Sequence, residues 1–241
     1  MRIIRTEDYD ELSLRAAEIM ASVVTLKPDA LLGLATGSSP LGLYKVLIEK
    51  YRRGELSFAK VTTVNLDEYV GLGPEDEQSY RYFMDHNLFC HVDIDRERTH
   101  IPDGLAADGE KESARYEALV KSLGRQDIQL LGLGVDGHIG FNEPDRVFHE
   151  DTHCVSLDPS TIEANKRFFA SAEEVPRKAY TMGVGTIMRA KRILMVVNGE
   201  AKAEVLSAML KGPIDPMLPA SILRLHRDVT IVADKAALSK L

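Results

Sequence analysis

The chain has 241 residues, 44% of them hydrophobic and 28% charged, a globular balance with enough length to bury a large apolar core. A net charge of -7 argues against nucleic acid as the main partner, and no apolar run approaches the ~20 residues of a membrane span. Two isolated cysteines, Cys90 and Cys154, make no disulfide framework, and Glu7 follows too soon on the N-terminus for a signal peptide, so the expected location is cytoplasmic.

In chain order, short apolar runs at 3–4, 30–35, 61–64, 128–133, 193–197 and 229–232 read as strands. Helix-like stretches at 9–24, 41–53, 79–89, 110–123 and 201–210 lie between them. In the first helix Leu12, Ala16, Ile19, Met20 and Val23 keep helical spacing. Continuous apolar strands alternating with helices predict one α/β domain over residues 1–241: a Rossmann-like parallel sheet with helices on both faces. Such a sheet binds ligands beyond the carboxyl ends of its strands.

After the run ending at Ala35 comes Thr36-Gly37-Ser38-Ser39-Pro40, with a helix expected from Leu41, Pro40 at its first position and Ser39 as its cap. Free N–H groups, three hydroxyls and a helix dipole there make an anion site. An ordinary capped turn explains the same residues equally well. Past Val64 stand Asp67 and Glu68. A carboxylate at that edge can remove a carbon-bound proton, with Glu68 raising its pKa, and a solvated acidic turn is the plainer alternative.

Past Leu133 the chain reads Gly134-Val135-Asp136-Gly137-His138-Ile139-Gly140-Phe141-Asn142-Glu143-Pro144. A histidine flanked by two carboxylates is suited to shuttling protons at neutral pH. The glycines permit tight turns and close approach of a ligand. The alternative is a structural turn with His138 on the surface. Arg167 and Lys202 are candidate phosphate cations, or else solvated surface charges.

Two motif matches nearby read as coincidences. Gly132-Leu133-Gly134-Val135-Asp136-Gly137 fits a dinucleotide fingerprint but lacks a helix opening at its last glycine. His149-Glu150-Asp151-Thr152-His153 fits a zinc-peptidase pattern, which needs an extended helix. Pro144 and Pro159 confine this segment, and 154–157 looks like a strand, which leaves a zinc peptidase as the remoter alternative, of a different class.

Taken together and in order, five stretches resemble the glucosamine-6-phosphate deaminase family: 34–40, 65–72, 134–144, 165–169 and 181–186. The run Asp136-Gly137-His138-Ile139-Gly140-Phe141-Asn142-Glu143-Pro144 is the most specific of them. The resemblance implies the α/β fold shared with phosphogluconolactonases, ribose-5-phosphate isomerases and CoA transferases. It implies conversion of glucosamine 6-phosphate and water to fructose 6-phosphate and ammonia, with no cofactor and no metal. It assigns Asp67 as the base for the C2 proton. It assigns His138 as the proton carrier for ring opening, with Asp136 and Glu143 as its partners. Thr36, Gly37, Ser38, Ser39, Arg167 and Lys202 match phosphate-binding positions. The implied partner is a small sugar phosphate, with no nucleic acid or membrane, and the oligomeric state stays open.

Some family members are activated by N-acetylglucosamine 6-phosphate through a basic pair after the Phe-Asn-Glu-Pro segment and a longer C-terminal tail. Here His153 and Val155 stand in place of that pair and the chain stops at Leu241, so no such activation is expected. A 6-phosphogluconolactonase is the nearest alternative. Its family resembles this chain in Gly-x-Asp-Gly-His but not in the residues that follow, and it places arginine where Tyr69 stands. A sugar-phosphate sensor would need a separate DNA-binding segment, for which the chain has no spare length.

Overall fold

The computed structural model describes residues 1–159, 162–163, 169, 171 and 174–241. The six apolar runs, as β1 (Arg2–Thr6), β2 (Leu31–Leu34), β3 (Thr62–Asn65), β6 (Ile128–Leu131), β9 (Ile193–Val197) and β10 (Val229–Asp234), form a seven-stranded sheet with one strand that the sequence reading did not give, β5 (Thr99–His100). Their order is β1-β10-β9-β6-β2-β3-β5, and every pairing is parallel. Strands β2, β6, β9 and β10 are buried at every position, which requires cover on both faces.

That cover comes from amphipathic helices α1 (Tyr9–Leu26), α2 (Leu41–Arg52), α3 (Tyr80–Asn87), α4 (Gly109–Leu123), α5 (Val184–Met188) and α6 (Ala203–Lys211). In α1, Leu12, Ala16, Met20 and Val23 are buried at the spacing read from sequence. Asp8 starts α1 by accepting the Glu11 N–H, and Ser79 starts α3 by accepting that of Tyr82. No helix of the described residues is long and apolar enough to cross a membrane.

The chain leaves β2 for β3 on one side and β6 for β9 on the other. The carboxyl ends of β2 and β6 therefore flank a topological switch point, where neighbouring loops diverge and open a crevice.

The sequence reading missed a second sheet, antiparallel, ordered β4-β8-β7, built from β4 (Asp67–Tyr69), β8 (Lys178–Thr181) and β7 (His153–Ser156). Leu66 is the hand-over point between the two sheets. Its N–H bonds to Leu34 O on β2, while its carbonyl accepts the Met182 N–H beyond β8. A smaller core of Tyr69, Phe141, Leu157, Ile162, Val175 and Ala179 seals the second sheet. Asp67 and Glu68 thus form no solvated turn. They are 5% and 2% exposed, inside a strand at the seam.

Candidate active site

The loop after β2 is shaped by a left-handed Gly37 (φ 89°), a conformation that glycine adopts without strain. Tyr9 pins this loop from α1. Its hydroxyl lies 2.9 Å from Ser38 O and 3.1 Å from Ser39 O, and accepts the Gly42 N–H. Ser39 does not cap α2, as its sequence position suggested. Pro40 occupies the capping position, and Ser39 Oγ donates instead to Asn198 Oδ1 at 2.8 Å. That bond ties the loop after β2 to the loop after β9. Lys202 lies on the latter, half-buried, in a single turn of 3-10 helix (Glu200–Lys202) that leads into α6. Arg167 lies outside the described residues.

The loop after β6 brings its carboxylate and imidazole together. His138 Nδ1 lies 2.7 Å from Asp136 Oδ1, and the His138 backbone N–H donates to the same oxygen. Burial disfavours charge on Asp136, but these contacts outweigh it and hold the carboxyl below its ordinary range. Gly134 is required by the histidine itself. A Cβ there would lie 2.4 Å from His138 Nδ1, so the ring packs flat against the glycine backbone. Glu143 follows on the same loop, its Oε2 accepting the Asp158 N–H at 2.8 Å.

Asp67 meets this loop at Gly140, where an added Cβ would lie 3.4 Å from Asp67 Oδ2. Its Oδ1 is buried without a hydrogen-bond partner. Burial first, and the neighbouring Glu68 charge second, push the Asp67 carboxyl well above the usual carboxylate range. Glu68 faces away from it, accepting N–H groups from Tyr69, Tyr80 and Arg81 at the start of α3. Burial, opposed by those donors, leaves Glu68 at about 7.

Tyr69, Tyr80, Phe141 and Phe169 form an aromatic wall beside Asp67, with Tyr80 stacked on Phe141 at 6.0 Å. The Tyr80 hydroxyl reaches Tyr69 and Thr36, joining that wall to the loop after β2. Sequence reasoning missed Tyr9, Tyr80 and Asn198. Of these only Asn198, immediately after a buried strand, had a positional signal. The zinc-peptidase pattern is overturned as well. Residues 149–152 are loop and His153 opens β7, so no helix holds the two histidines. The dinucleotide-like glycines form a turn with no helix after Gly137.

Loops after β2, β6 and β9 thus lie at one sheet edge, with the hydroxyl- and glycine-rich turn 36–39 on one side and a carboxylate-histidine pair beside a buried acid on the other. That arrangement defines an α/β protein whose sheet edge carries groups able to transfer protons. The chain belongs to the family described as glucosamine-6-phosphate isomerases/6-phosphogluconolactonase, whose model matches residues 6–232. A glucosamine-6-phosphate deaminase of Thermoanaerobacter sp. (strain X514) is 54% identical over 99% of this chain and 94% of its own length. One of Clostridium perfringens (strain 13 / Type A) is 52% identical over 98% of each. A solved structure of a monomeric glucosamine-6-phosphate deaminase superposes with a TM-score of 0.98, at 49% identity over 100% of both chains. A 6-phosphogluconolactonase from Trypanosoma cruzi shares the fold, with a TM-score of 0.81 at 19% identity over 100% of this chain and 96% of its own.

Proposed function

We infer that this enzyme converts glucosamine 6-phosphate and water to fructose 6-phosphate and ammonia, a step of amino-sugar catabolism. One observation carries the residue roles. A buried, unpartnered carboxyl, Asp67, abuts the loop that holds the His138–Asp136 pair.

The substrate phosphate is bound by the N–H groups and hydroxyls of Thr36, Gly37, Ser38 and Ser39 before α2. Lys202 and Arg167 supply the matching positive charge. The closed pyranose has no acidic C2 proton, so ring opening comes first. His138, held by Asp136 and with Glu143 as its second carboxylate, carries a proton from the C1 hydroxyl to the ring oxygen and releases the aldehyde. Asp67 then removes the C2 proton and the electron pair moves toward the C1 carbonyl, whose oxygen takes up a proton as the C2 ammonium gives one up, to leave an enolamine. A proton returns to C1, the nitrogen lone pair forms C2=N, and water adds at C2 to expel ammonia.

Burial raises the Asp67 pKa, and an ammonium group on C2 favours the ionised carboxylate, so the substrate itself offsets part of what burial costs the base. A cytoplasmic location fits the two free, exposed cysteines.

The test is ammonia release from glucosamine 6-phosphate, expected to be unaffected by a metal chelator. Failure to release ammonia, with turnover of 6-phosphogluconolactone instead, would overturn the reading. Asp67→Asn should abolish exchange of the C2 proton with solvent while leaving the fold intact, and normal exchange in that variant would remove the base assignment.

A further inference from the structure

We propose that Thr181 is a positioning residue for Asp67, its hydroxyl fixing the direction in which that carboxyl group faces the reacting carbon. The inference rests on the reading of Asp67 as the base. Thr181 is wholly buried on β8 and stands opposite Asp67 in the antiparallel register. Side chains of such a pair leave the sheet on the same face, with Cβ atoms about 4.5–5.5 Å apart. A common neighbour marks that face here. A Cβ on Gly140 would lie 2.9 Å from Thr181 Oγ1 and 3.4 Å from Asp67 Oδ2, so both oxygens crowd one side of the same glycine.

Its hydrogen bonds give the hydroxyl its role. Thr181 Oγ1 accepts the Phe141 N–H at 3.0 Å. A hydroxyl that accepts through one lone pair still has its own proton to donate, and a buried donor left without an acceptor is unfavourable. Across the strand pair, Asp67 is an acceptor whose Oδ1 has no partner. The Asp67 oxygen that shares this glycine with Thr181 is Oδ2 and the unpartnered one is Oδ1, so the hydroxyl proton faces a carboxyl group with acceptor capacity to spare. Phe141 belongs to the loop that carries His138, so Thr181 joins that loop to the strand that carries the base. Directing the Thr181 proton toward the carboxyl group both orients it and favours its ionised form.

The experiment compares Thr181→Val, which keeps the shape and removes the hydroxyl, with Thr181→Ser, which keeps the hydroxyl. Each is measured beside wild type and Asp67→Asn for kcat, KM, C2 proton exchange and the pH dependence of kcat/KM. Thr181→Val should lower kcat by about 10–100-fold, the effect of losing one directing hydrogen bond, with KM changed less than about two-fold. The acid limb of its kcat/KM profile should move to higher pH, because the anion has lost a donor. Thr181→Ser should restore both kcat and the limb. Should the valine variant fail to fold, Thr181→Ala carries the same expectation. A hydroxyl-free variant with wild-type kcat and limb overturns the proposal, as does a serine variant as impaired as the valine one. If Asp67→Asn itself still exchanges the C2 proton, the base reading falls. If Asp67→Asn loses exchange while Thr181→Val keeps it, only the role of Thr181 falls.

Discussion

Replacing Gly134 by alanine tests the ring-opening assignment through sterics alone. The added methyl would lie 2.4 Å from Nδ1 and 2.5 Å from Cγ and Cε1 of His138, where ordinary contact begins near 3.4 Å. The imidazole must therefore retreat by about 1 Å, the difference between those two distances. It cannot carry its backbone along without stretching the 2.9 Å bond from Gly134 N to His138 O. The 2.7 Å contact with Asp136 is the interaction that gives way. A displaced catalytic group costs on the order of 10²-fold, and a hydrogen bond to a charged group about 1.5–3 kcal/mol, so kcat on the closed pyranose should fall by roughly 10–100-fold. Gly134 is not among the left-handed glycines, so alanine fits its backbone. Stability should therefore fall only by the cost of crowding the ring and losing its contact with Asp136, about 1–3 kcal/mol, or several degrees in Tm. The assay pairs initial rates on closed glucosamine 6-phosphate with rates on an open-chain analogue, alongside thermal unfolding. A wild-type rate on the closed ring would refute the reasoning, and so would equal losses on both substrates.

His138→Gln should likewise impair closed-ring substrate far more than an open-chain analogue, and equal losses in that pair of assays would remove the ring-opening role. Glu117 on α4 accepts from Thr152 N, Thr152 Oγ1, Thr186 Oγ1 and Arg189 Nη2 at 2.6–2.9 Å. Burial opposes its charge, but these donors prevail and hold the carboxyl at about 2 against an ordinary 4.5. A depressed folded pKa means stability that is complete above about pH 4.5 and lost as pH falls toward 2, worth at most about 3 kcal/mol. Urea midpoints between pH 6 and 3 should thus fall less steeply in Glu117→Gln than in wild type, and identical slopes would refute the linkage. Kinetics should stay hyperbolic, unchanged by N-acetylglucosamine 6-phosphate. Among the described residues, His153 and Val155 line a groove of about 840 Å³ with Asp108, Glu110, Glu117 and Asp151 against Lys121 and Lys178. Lys121 is already paired with Glu117 and Asp151, and burial holds the His153 ring below its ordinary pKa, so the groove offers a phosphate little positive charge. Sigmoidal rates relieved by that sugar phosphate would contradict this.

Local chemistry made much of the architecture readable from sequence. Apolar runs such as 193–197 have one stable home, a parallel strand covered on both faces, and helical spacing in 9–24 defines a buried stripe whatever it packs against. The glycine-rich loop from 134 to 144 is legible for the same reason: its residues bond mainly to one another, as Asp136 does to His138.

What depended on long-range contacts was not legible. Nothing local distinguishes Asp67-Glu68 from a solvated acidic turn. Leu66 must first hand the chain from one sheet to another, and β8 must arrive from more than a hundred residues away. Only that pairing buries Asp67, raises its pKa and sets Thr181 opposite it. Which chemical groups stand at the strand ends follows from the order of residues alone. Tertiary structure decided which of them is desolvated, because desolvation depends on every neighbour that excludes water and not on the residue that loses it.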